Sequence, residues 1–224
     1  MHSDSPFAEG RVLLIDKPLG WTSFDVVRKL RNLIRIKKIG HAGTLDPLAT
    51  GLLIVCTGKF TKRINEFMAQ EKEYTGTITL GARTPSYDLE TEPYDHRSIG
   101  HLTLALIEEA LIRFTGTIMQ VPPAHSAIKV KGKRVYELAR KGQAVTLEPR
   151  RITVSVFEAL RYEEGILYFR VVCSTGTYIR SLAQDLGEAL GCGAYLRSLR
   201  RTRIGKFEVT QAQTPEQFEA TLKI

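Results

Sequence analysis

The chain has 224 residues, of which 43% are hydrophobic and 25% are charged. This is the composition of a globular protein and excludes wholesale disorder, and the uncharged apolar stretches are too short to span a membrane. The N-terminal segment MHSDSPFAEGRVLLIDKPLG has only a short apolar run before Asp16, which makes it a poor signal peptide. We therefore expect a cytoplasmic protein with a single domain over residues 1–224.

The cysteine and charge patterns narrow the function classes further. Cys56, Cys173 and Cys192 are far apart and contain no CxxC pair, which is typical of reduced thiols and not of a disulfide framework or a zinc site. The formal net charge of +8 favours a polyanionic partner, because clustered Lys and Arg release counterions when they neutralise phosphates. A solvated basic surface without a ligand is the alternative.

A short strand over residues 12–15 and a helix are predicted in the first part of the chain. The segment GWTSFDVVRKLRNLIRIKK favours a helix that Ser23 caps. Its apolar residues recur at helical spacing: Phe24, Val27, Leu30 and Ile34. Its other side carries a basic run: Arg28, Arg31, Arg35, Lys37 and Lys38. Such a run is commonly a solvated face, but its position directly before His41 favours phosphate contacts.

Strands and helices also alternate irregularly through the middle of the chain. Residues 52–57 predict a buried strand, and EYTGTITLG alternates as a strand does. LTLALIEEALIRFTG predicts an amphipathic helix that Thr103 caps and Gly116 ends. KRVYELARKG predicts a shorter helix that stops at Gly142.

The last third predicts a hairpin, two helices and a strand. RRITVSVFEALRYEEGILYFRVVCSTG turns at residues 163–165, and TYIRSLAQDLGEALG is a helix that Thr177 caps and Gly191 closes. GKFEVTQA predicts a strand, and TPEQ is a capping box that opens the last helix. Since no regular βαβ alternation occurs, we predict an α+β fold around a mixed sheet.

One acidic residue, Asp46, lies in the constrained stretch HAGTLDPLATG. This stretch lacks the spacing of a phosphate-binding P-loop, and His41 with Asp46 makes too few ligands for a metal. Pro47 restrains Asp46 to extended dihedrals, and Gly43 permits a turn or close approach, so the loop can present a reacting carboxylate. A plain turn with an Asx-type hydrogen bond is the alternative.

Arg180 is oddly placed, in the first turn of its predicted helix. The helix dipole disfavours a cation there by a few tenths to about 1 kcal/mol, so the guanidinium requires a carboxylate or phosphate partner. Asp46 is a candidate partner, and pairing would keep it ionised and oriented. Alternatively, Arg180 points into solvent.

Five blocks of the sequence resemble the TruB-type tRNA pseudouridine synthases, which isomerise uridine 55 in the T-arm of tRNA. They are KIGHAGTLDPLATGLLIVCTGKFTK, EKEYTGTITLGARTPSYDLE, VPPAHSAIKVKGKRVYELARKG, STGTYIRSLAQDLG and GAYLRSLRRTRIGKF. They follow the family's order over most of the chain. The resemblance implies a mixed, largely antiparallel sheet flanked by helices and loops, a central catalytic cleft, no cofactor and no metal.

The resemblance also implies roles for single residues. Asp46 matches the essential aspartate, Tyr74 the tyrosine that stacks near the base and takes the C5 proton, and Arg180 the arginine paired with the aspartate. His41 matches the histidine that helps to extrude the uridine. Further substrate-binding positions are Tyr178, Leu199, Lys129 and Arg134. Lys17, in DKPLG, matches a lysine of an early turn; a solvated loop lysine is the alternative, and we leave it outside the predicted site.

This chemistry breaks the C1′–N1 bond, rotates the uracil and rejoins it through C5, with no net redox change. The base must leave its stack, and a pocket that stacks and hydrogen-bonds it offsets that cost. Asp46 could act as a nucleophile on the sugar or ring, or as a base at C2′; the sequence leaves both routes open. A glycosidase-like hydrolase would need a second carboxylate beside Asp46, which no motif supplies. A tRNA-binding or folding factor without required catalysis is the remaining alternative.

Two departures from the family's pattern concern RNA binding. We expect only a short strand and helix over residues 208–224, without a full RNA-binding module of the PUA type. Pro85 stands where relatives commonly have an aspartate, although Asp88 stays in register. We expect a monomer that binds the tRNA T-arm through basic residues: Lys37, Lys38, Lys129, Lys131, Arg134, Arg200 and Arg201.

Overall fold

The computed structural model describes residues 6–123, 129–130, 133–134 and 147–222. The predicted helix in KRVYELARKG lies outside the described residues, apart from a two-residue strand at its start. The chain divides into two compact units. Unit 1 contains the residues up to Thr75 and those from Leu199 onward, and unit 2 is Gly76–Ser198.

In chain order, the strands formed by the described residues are β1 (Val12–Lys17), β2 (Ile39–Ala42), β3 (Ala49–Thr57), β4 (Lys72–Leu80), β5 (Gly116–Gln120), β6 (Lys129–Val130), β7 (Lys133–Arg134), β8 (Arg150–Glu163), β9 (Ile166–Cys173), β10 (Ala194–Ile204) and β11 (Phe207–Glu208). The helices are α1 (Pro6–Glu9), α2 (Ser23–Ile34), α3 (Ile64–Ala69), α4 (Leu104–Ile112), α5 (Ile179–Ala189) and α6 (Pro215–Thr221), with 3₁₀ turns at Gly58–Arg63 and Val209–Gln211.

Strand β3 is the centre of unit 1. It pairs antiparallel with β1 and β2 and parallel with β10, and β11 pairs antiparallel with β10. Nearly all of β3 is buried, because its two faces are both covered. On one face, Leu53 and Val55 pack with apolar residues of α2 such as Leu30. This packing fixes the loop between β2 and β3, which carries Asp46.

Helix α2 begins one residue earlier than the sequence suggested. Thr22 is the N-cap, and it forms a capping box with Asp25 through two bonds of 3.0 Å. Ser23 is instead the first helical residue, so the prediction of a Ser23 cap is wrong. Both hydroxyls are good caps, and the choice falls on Thr22 because the buried Ser23 hydroxyl bonds Leu45 from the loop after β2.

In unit 2 the strands follow the order β10-β4-β9-β8-β5. Only the residues of β4 from Gly76 onward and those of β10 up to Ser198 belong to this unit. The predicted hairpin is confirmed: β8 and β9 pair antiparallel, and Glu164 and Gly165 turn the chain with positive φ. Thr103 caps α4 as predicted. Thr177 does not cap α5; its hydroxyl donates to the Ser174 carbonyl, and the helix starts after Tyr178.

The α+β class with a mixed, mostly antiparallel sheet is therefore confirmed. The capping box at the start of α6 is also present, with Thr214 as the N-cap. The predicted strand in GKFEVTQA is shorter than expected, because the chain enters a 3₁₀ turn at Val209. Within the described residues, no helix is both long and apolar enough to cross a membrane.

Candidate active site

The loop that carries Asp46 leaves β2 and makes a tight turn before β3. The Ala49 amide donates to the Asp46 carbonyl at 3.0 Å, which closes the turn around Pro47. Gly43, at the start of the loop, has φ +91°, a conformation that a residue with a side chain rarely adopts. The predicted turn and the predicted need for glycine are both confirmed, and Asp46 is half-buried at the turn.

Lys17 is hydrogen-bonded to the turn at Pro47, directly after Asp46. The residue is 0% exposed, and its Nζ donates to the carbonyls of Pro18 at 3.0 Å, Trp21 at 2.6 Å and Pro47 at 3.3 Å. Burial lowers the pKa of Lys17 to about 8, which the Asp46 carboxylate opposes and the Arg201 charge reinforces. The alternative of a solvated loop lysine is wrong.

Arg201 is hydrogen-bonded to the start of the loop at Gly43. It is 1% exposed, and its guanidinium donates to the Leu52 carbonyl at 2.7 Å and the Gly43 carbonyl at 3.1 Å. The prediction that Arg201 binds phosphates is therefore wrong. Successive strand residues point to opposite faces, and Arg200 is the outward one, paired with Asp16 at 2.6 Å.

Hydrogen bonds from two more residues, Ser23 and Gly20, complete the attachment of the loop. The Ser23 hydroxyl accepts from the Leu45 amide at 2.9 Å and lies 3.2 Å from the Leu45 carbonyl. The Gly20 amide donates to the Pro47 carbonyl at 2.9 Å. The backbone on both sides of Asp46 is thus hydrogen-bonded to α2, to the turn after β1 and to β10. The signal in the sequence was the segment DKPLG, in which Lys17 lies between a short apolar run that ends at Ile15 and a turn that begins at Pro18.

The other predicted site residues of unit 1 lie in its strands. His41 is in β2, and burial together with the Arg201 charge lowers its pKa, against a hydrogen bond with the Gly43 backbone. A histidine with a lowered pKa is neutral at pH 7. Tyr74 is buried in β4, and the half-buried Leu199 in β10 is opposite Ala49 in register. Their roles toward a base stay predictions.

In unit 2, Arg180 occupies the first turn of α5 as predicted. It is 4% exposed, its Nε lies 3.7 Å from Oδ2 of Asp88, and its Nη1 donates to the Ser86 carbonyl at 3.2 Å. The guanidinium therefore has the carboxylate partner that the helix dipole requires, and the alternative of a solvent-facing arginine is wrong. Its pairing with Asp46, a residue of unit 1, stays a prediction.

The Asp88 loop is itself well ordered by hydrogen bonds. Oδ1 of Asp88 accepts from the Glu90 amide at 3.0 Å, and the Leu196 amide donates to the Tyr87 carbonyl at 2.9 Å. Tyr87 has φ +64°, so the chain reverses sharply just before Asp88. Although Pro85 stands where relatives commonly have an aspartate, Asp88 of the same loop forms a buried ion pair with Arg180.

The remaining predicted residues have fewer described contacts. Tyr178 is the half-buried N-cap residue of α5. Lys129 and Arg134 are opposite each other in the β6–β7 ladder, and their contacts with RNA stay predictions. Lys37 and Lys38 are exposed. Among the described residues, no group of three or more His, Cys, Asp or Glu could hold a metal ion.

Family models match almost the whole chain. Residues 31–179 match the TruB family pseudouridylate synthase (N terminal domain), and residues 180–224 match the tRNA pseudouridylate synthase B C-terminal domain. The chain belongs to the TruB family of pseudouridylate synthases.

Among its relatives are proteins named tRNA pseudouridine synthase B. The one from Parabacteroides distasonis is 51% identical, with 97% of this chain and 95% of the relative covered. The one from Flavobacterium johnsoniae is 53% identical, with 97% and 98% covered.

Solved structures support the same fold. A Cbf5-Nop10-Gar1 complex contains a chain with a TM-score of 0.70 and 33% identity, covering 90% of this chain and 50% of that one. An H/ACA RNP bound to a substrate RNA containing 2′-deoxyuridine contains a chain with a TM-score of 0.72 and 29% identity, covering 96% and 53%. The chain thus spans about half the length of these solved chains.

Proposed function

We propose that this protein isomerises uridine 55 in the T-arm of tRNA to pseudouridine, with Asp46 as the essential residue. The relatives that match over nearly their full length are named for pseudouridine formation in tRNA. The observation that carries the proposal is the Asp46 turn, whose backbone is bonded to two buried cations, Lys17 and Arg201. Such support is what a reacting carboxylate needs, because a positional error of about 1 Å costs catalysis heavily.

The reaction conserves all atoms of the nucleotide. The C1′–N1 bond breaks, the detached uracil turns, and a C1′–C5 bond forms. The proton on C5 then leaves and N1 gains one. Asp46 starts this sequence either as a nucleophile or as a base at C2′, and Tyr74 takes the C5 proton. No electron is transferred, so the proposal includes neither a cofactor nor a metal.

Substrate binding is assigned to the residues around the flipped uridine. Extruding a base from its loop costs a few kcal/mol, which stacking and hydrogen bonds in the site offset. Tyr74 and Leu199 supply apolar surface, and His41 helps to extrude the base as a neutral imidazole. A place for Tyr178 beside the aspartate is part of the proposal. Pairing of Asp46 with Arg180 is part of the proposal.

Phosphate contacts are assigned to basic residues of the predicted set. Lys37 and Lys38 are exposed after α2 and precede the strand with His41. Lys129, Lys131 and Arg134 keep their predicted role, whereas Arg201 loses it. The protein is proposed to act in the cytoplasm as a monomer.

The test uses a tRNA transcript labelled with tritium at C5 of uracil. We expect the wild-type protein to release one tritium per tRNA, and Asp46→Asn to abolish release while it still binds the transcript. The matched control is a transcript with cytidine in place of uridine 55, from which no tritium is expected.

Each outcome separates the alternatives. Release from the cytidine transcript would move the target away from position 55. Equal release by Asp46→Asn would remove Asp46 from the chemistry. Binding without release by the wild type would favour a tRNA-binding or folding factor on this scaffold.

A further inference from the structure

Gln120 is a buried polar residue at the end of β5 to which the proposed chemistry gives no role. It is 2% exposed. Its side-chain amide makes two hydrogen bonds with the same residue of another element: Nε2 donates to the Tyr178 carbonyl at 3.0 Å, and Oε1 accepts from the Tyr178 amide at 2.8 Å. The Gln120 side chain is therefore hydrogen-bonded to both the amide and the carbonyl of Tyr178.

Tyr178 needs an external partner because it is a poor helix cap. Good N-caps carry a short side-chain oxygen that accepts from the first turn, and the Tyr178 side chain forms no such bond. The first turn of α5 has no acidic residue to match the dipole, and it contains the buried Arg180. The start of this helix is thus locally unfavourable, and its position depends on contacts from outside.

A neighbouring bond supports the same arrangement. The Ser181 hydroxyl donates to the Val121 carbonyl at 2.8 Å, so the residue after Gln120 is also tied to α5. Ser181 is 1% exposed. Three bonds from two adjacent residues therefore hold Tyr178, two positions before Arg180, and Ser181, directly after it.

We propose that Gln120 is a positioning residue that sets the places of Tyr178 and Arg180 for the isomerisation. This inference rests on the proposed function, because it assigns a task to Gln120 only if Tyr178 and Arg180 serve that reaction. Gln120 itself touches the backbone and not the reacting atoms.

The chemistry of the side chain makes the inference testable with isosteric changes. Only an amide offers a donor and an acceptor in this shape. In Gln120→Glu the ionised carboxylate still accepts from the Tyr178 amide, but it faces the Tyr178 carbonyl with a second acceptor. In Gln120→Met both bonds are lost at similar volume.

The experiment measures tritium release and tRNA affinity for the wild type and both variants. At pH 8 we expect Gln120→Glu and Gln120→Met to lower kcat by about tenfold or more, since an unmatched buried polar group is strongly unfavourable and displaces the backbone that it faces. The Kd for tRNA should change less than about threefold, because phosphate contacts dominate affinity. A circular dichroism spectrum like that of the wild type, and a melting temperature above the assay temperature, would show that the variants are folded.

The matched control is Gln217→Glu in unit 1. The Gln217 side chain accepts from the Thr214 amide at 2.8 Å in the capping box of α6. Glutamate serves that box equally well, so this variant should keep wild-type kcat.

The pH dependence of kcat distinguishes a positioning role of Gln120 from a purely structural role, which would leave this dependence unchanged. When the carboxyl group introduced by Gln120→Glu is protonated, its O–H can donate to the Tyr178 carbonyl, so the kcat ratio of this variant to wild type should rise as pH falls from about 8 to about 6. The Gln120→Met ratio should stay flat. A flat Gln120→Glu ratio, or wild-type kcat in both variants, overturns the inference. Inactive wild-type protein would instead overturn the proposed function.

Discussion

The Asp46 loop in unit 1 and the start of α5 in unit 2 each bury an arginine, and they stabilise it differently. Arg201 donates to two backbone carbonyls of its unit, at 2.7 and 3.1 Å. Arg180 lies 3.7 Å from the buried carboxylate of Asp88. A carbonyl matches the hydrogen-bonding of a cation but cancels little of its charge, whereas a carboxylate does both.

This difference gives the two regions different weaknesses. In unit 1, removing a cation leaves neutral carbonyls without donors, and the loop with Asp46 loses its support. In unit 2, removing the cation leaves a buried negative charge, which is the more expensive loss. Substitutions at these residues are therefore expected to differ in their effect on stability.

The largest effect is expected for Arg180→Ala. It leaves Asp88 buried and unmatched, so we expect a loss of about 3–5 kcal/mol in the free energy of unfolding. Turnover should fall by on the order of 100-fold, as for the loss of a preorganised electrostatic partner, with a smaller change in tRNA affinity. Urea denaturation and tritium release measure the two effects.

A double variant that removes both charges of the Arg180–Asp88 pair separates the effect on stability from the effect on turnover. Arg180→Met combined with Asp88→Asn removes both charges, so it should recover part of the stability and none of the turnover. If Arg180→Ala changed only the affinity for tRNA, the proposed partnership with Asp46 would be incorrect.

Arg201→Met should rank next. It removes the guanidinium that donates to the Gly43 and Leu52 carbonyls, and the loss of a partner by a buried polar group costs about 1–3 kcal/mol. We expect a loss of about 2–4 kcal/mol in urea unfolding, accompanied by slower turnover because Gly43 starts the Asp46 loop.

The adjacent arginine is the stability control. Arg200 pairs with Asp16 on a partly exposed face, with a side chain that is 41% exposed. Arg200→Met should cost under about 1 kcal/mol. Equal losses at the two positions would contradict the assignment of Arg201 to the interior.

A smaller effect concerns the pH dependence of stability. The pKa of Lys17 is lowered from 10.5 to about 8 in the folded protein. Between these values the unfolded chain holds a proton that the folded protein has released, so the contribution of Lys17 to stability rises with pH. The difference in unfolding free energy between wild type and Lys17→Met should therefore increase over this window, by at most about 1.4 kcal/mol per pH unit.

Denaturation at several pH values between about 8 and about 10 measures this slope. A difference that stays constant, or falls with rising pH, would contradict the burial of a desolvated ammonium at this turn.

The smallest effect is expected at the exposed lysines. Lys37→Ala and Lys38→Ala should each reduce the salt slope of tRNA binding by about 1 per lost phosphate contact, with stability changes within about 0.5 kcal/mol. Lys59→Ala is the control, since Lys59 is exposed and pairs with Glu9 at 2.9 Å. An unchanged slope in the Lys37 and Lys38 variants would remove them from the RNA interface.

Local pattern was enough to predict most elements and the shape of the Asp46 turn. Period-2 and helical spacing indicated the strands and helices, and Pro47 with Gly43 indicated a constrained turn. Such features depend on dihedral preferences and hydrogen bonds within a few residues. The misplaced cap at Ser23 shows the limit, because Thr22 and Ser23 satisfy the same local rule and only the tertiary contact of Ser23 with Leu45 separates them. At Thr177 the hydroxyl bonds the Ser174 carbonyl instead of capping the helix.

Burial of single charged residues could not be read from the sequence. Arg200 and Arg201 are adjacent and chemically identical, and only the pairing of β10 with β3 decides which one enters the interior. Lys17 is buried because the carbonyls of three other residues converge on it, one of them 30 positions away. Asp88 meets the sequence-distant Arg180 because a sharp reversal at Tyr87 brings its loop beside α5.

The amino-acid order thus specified the family and the local turn that displays Asp46, since these depend on residue type and short-range geometry. The folded chain specified which cations are withdrawn from solvent and what they hold. That outcome depends on desolvation and on donors and acceptors that are distant in sequence, and such groups meet only when the strands and helices have packed.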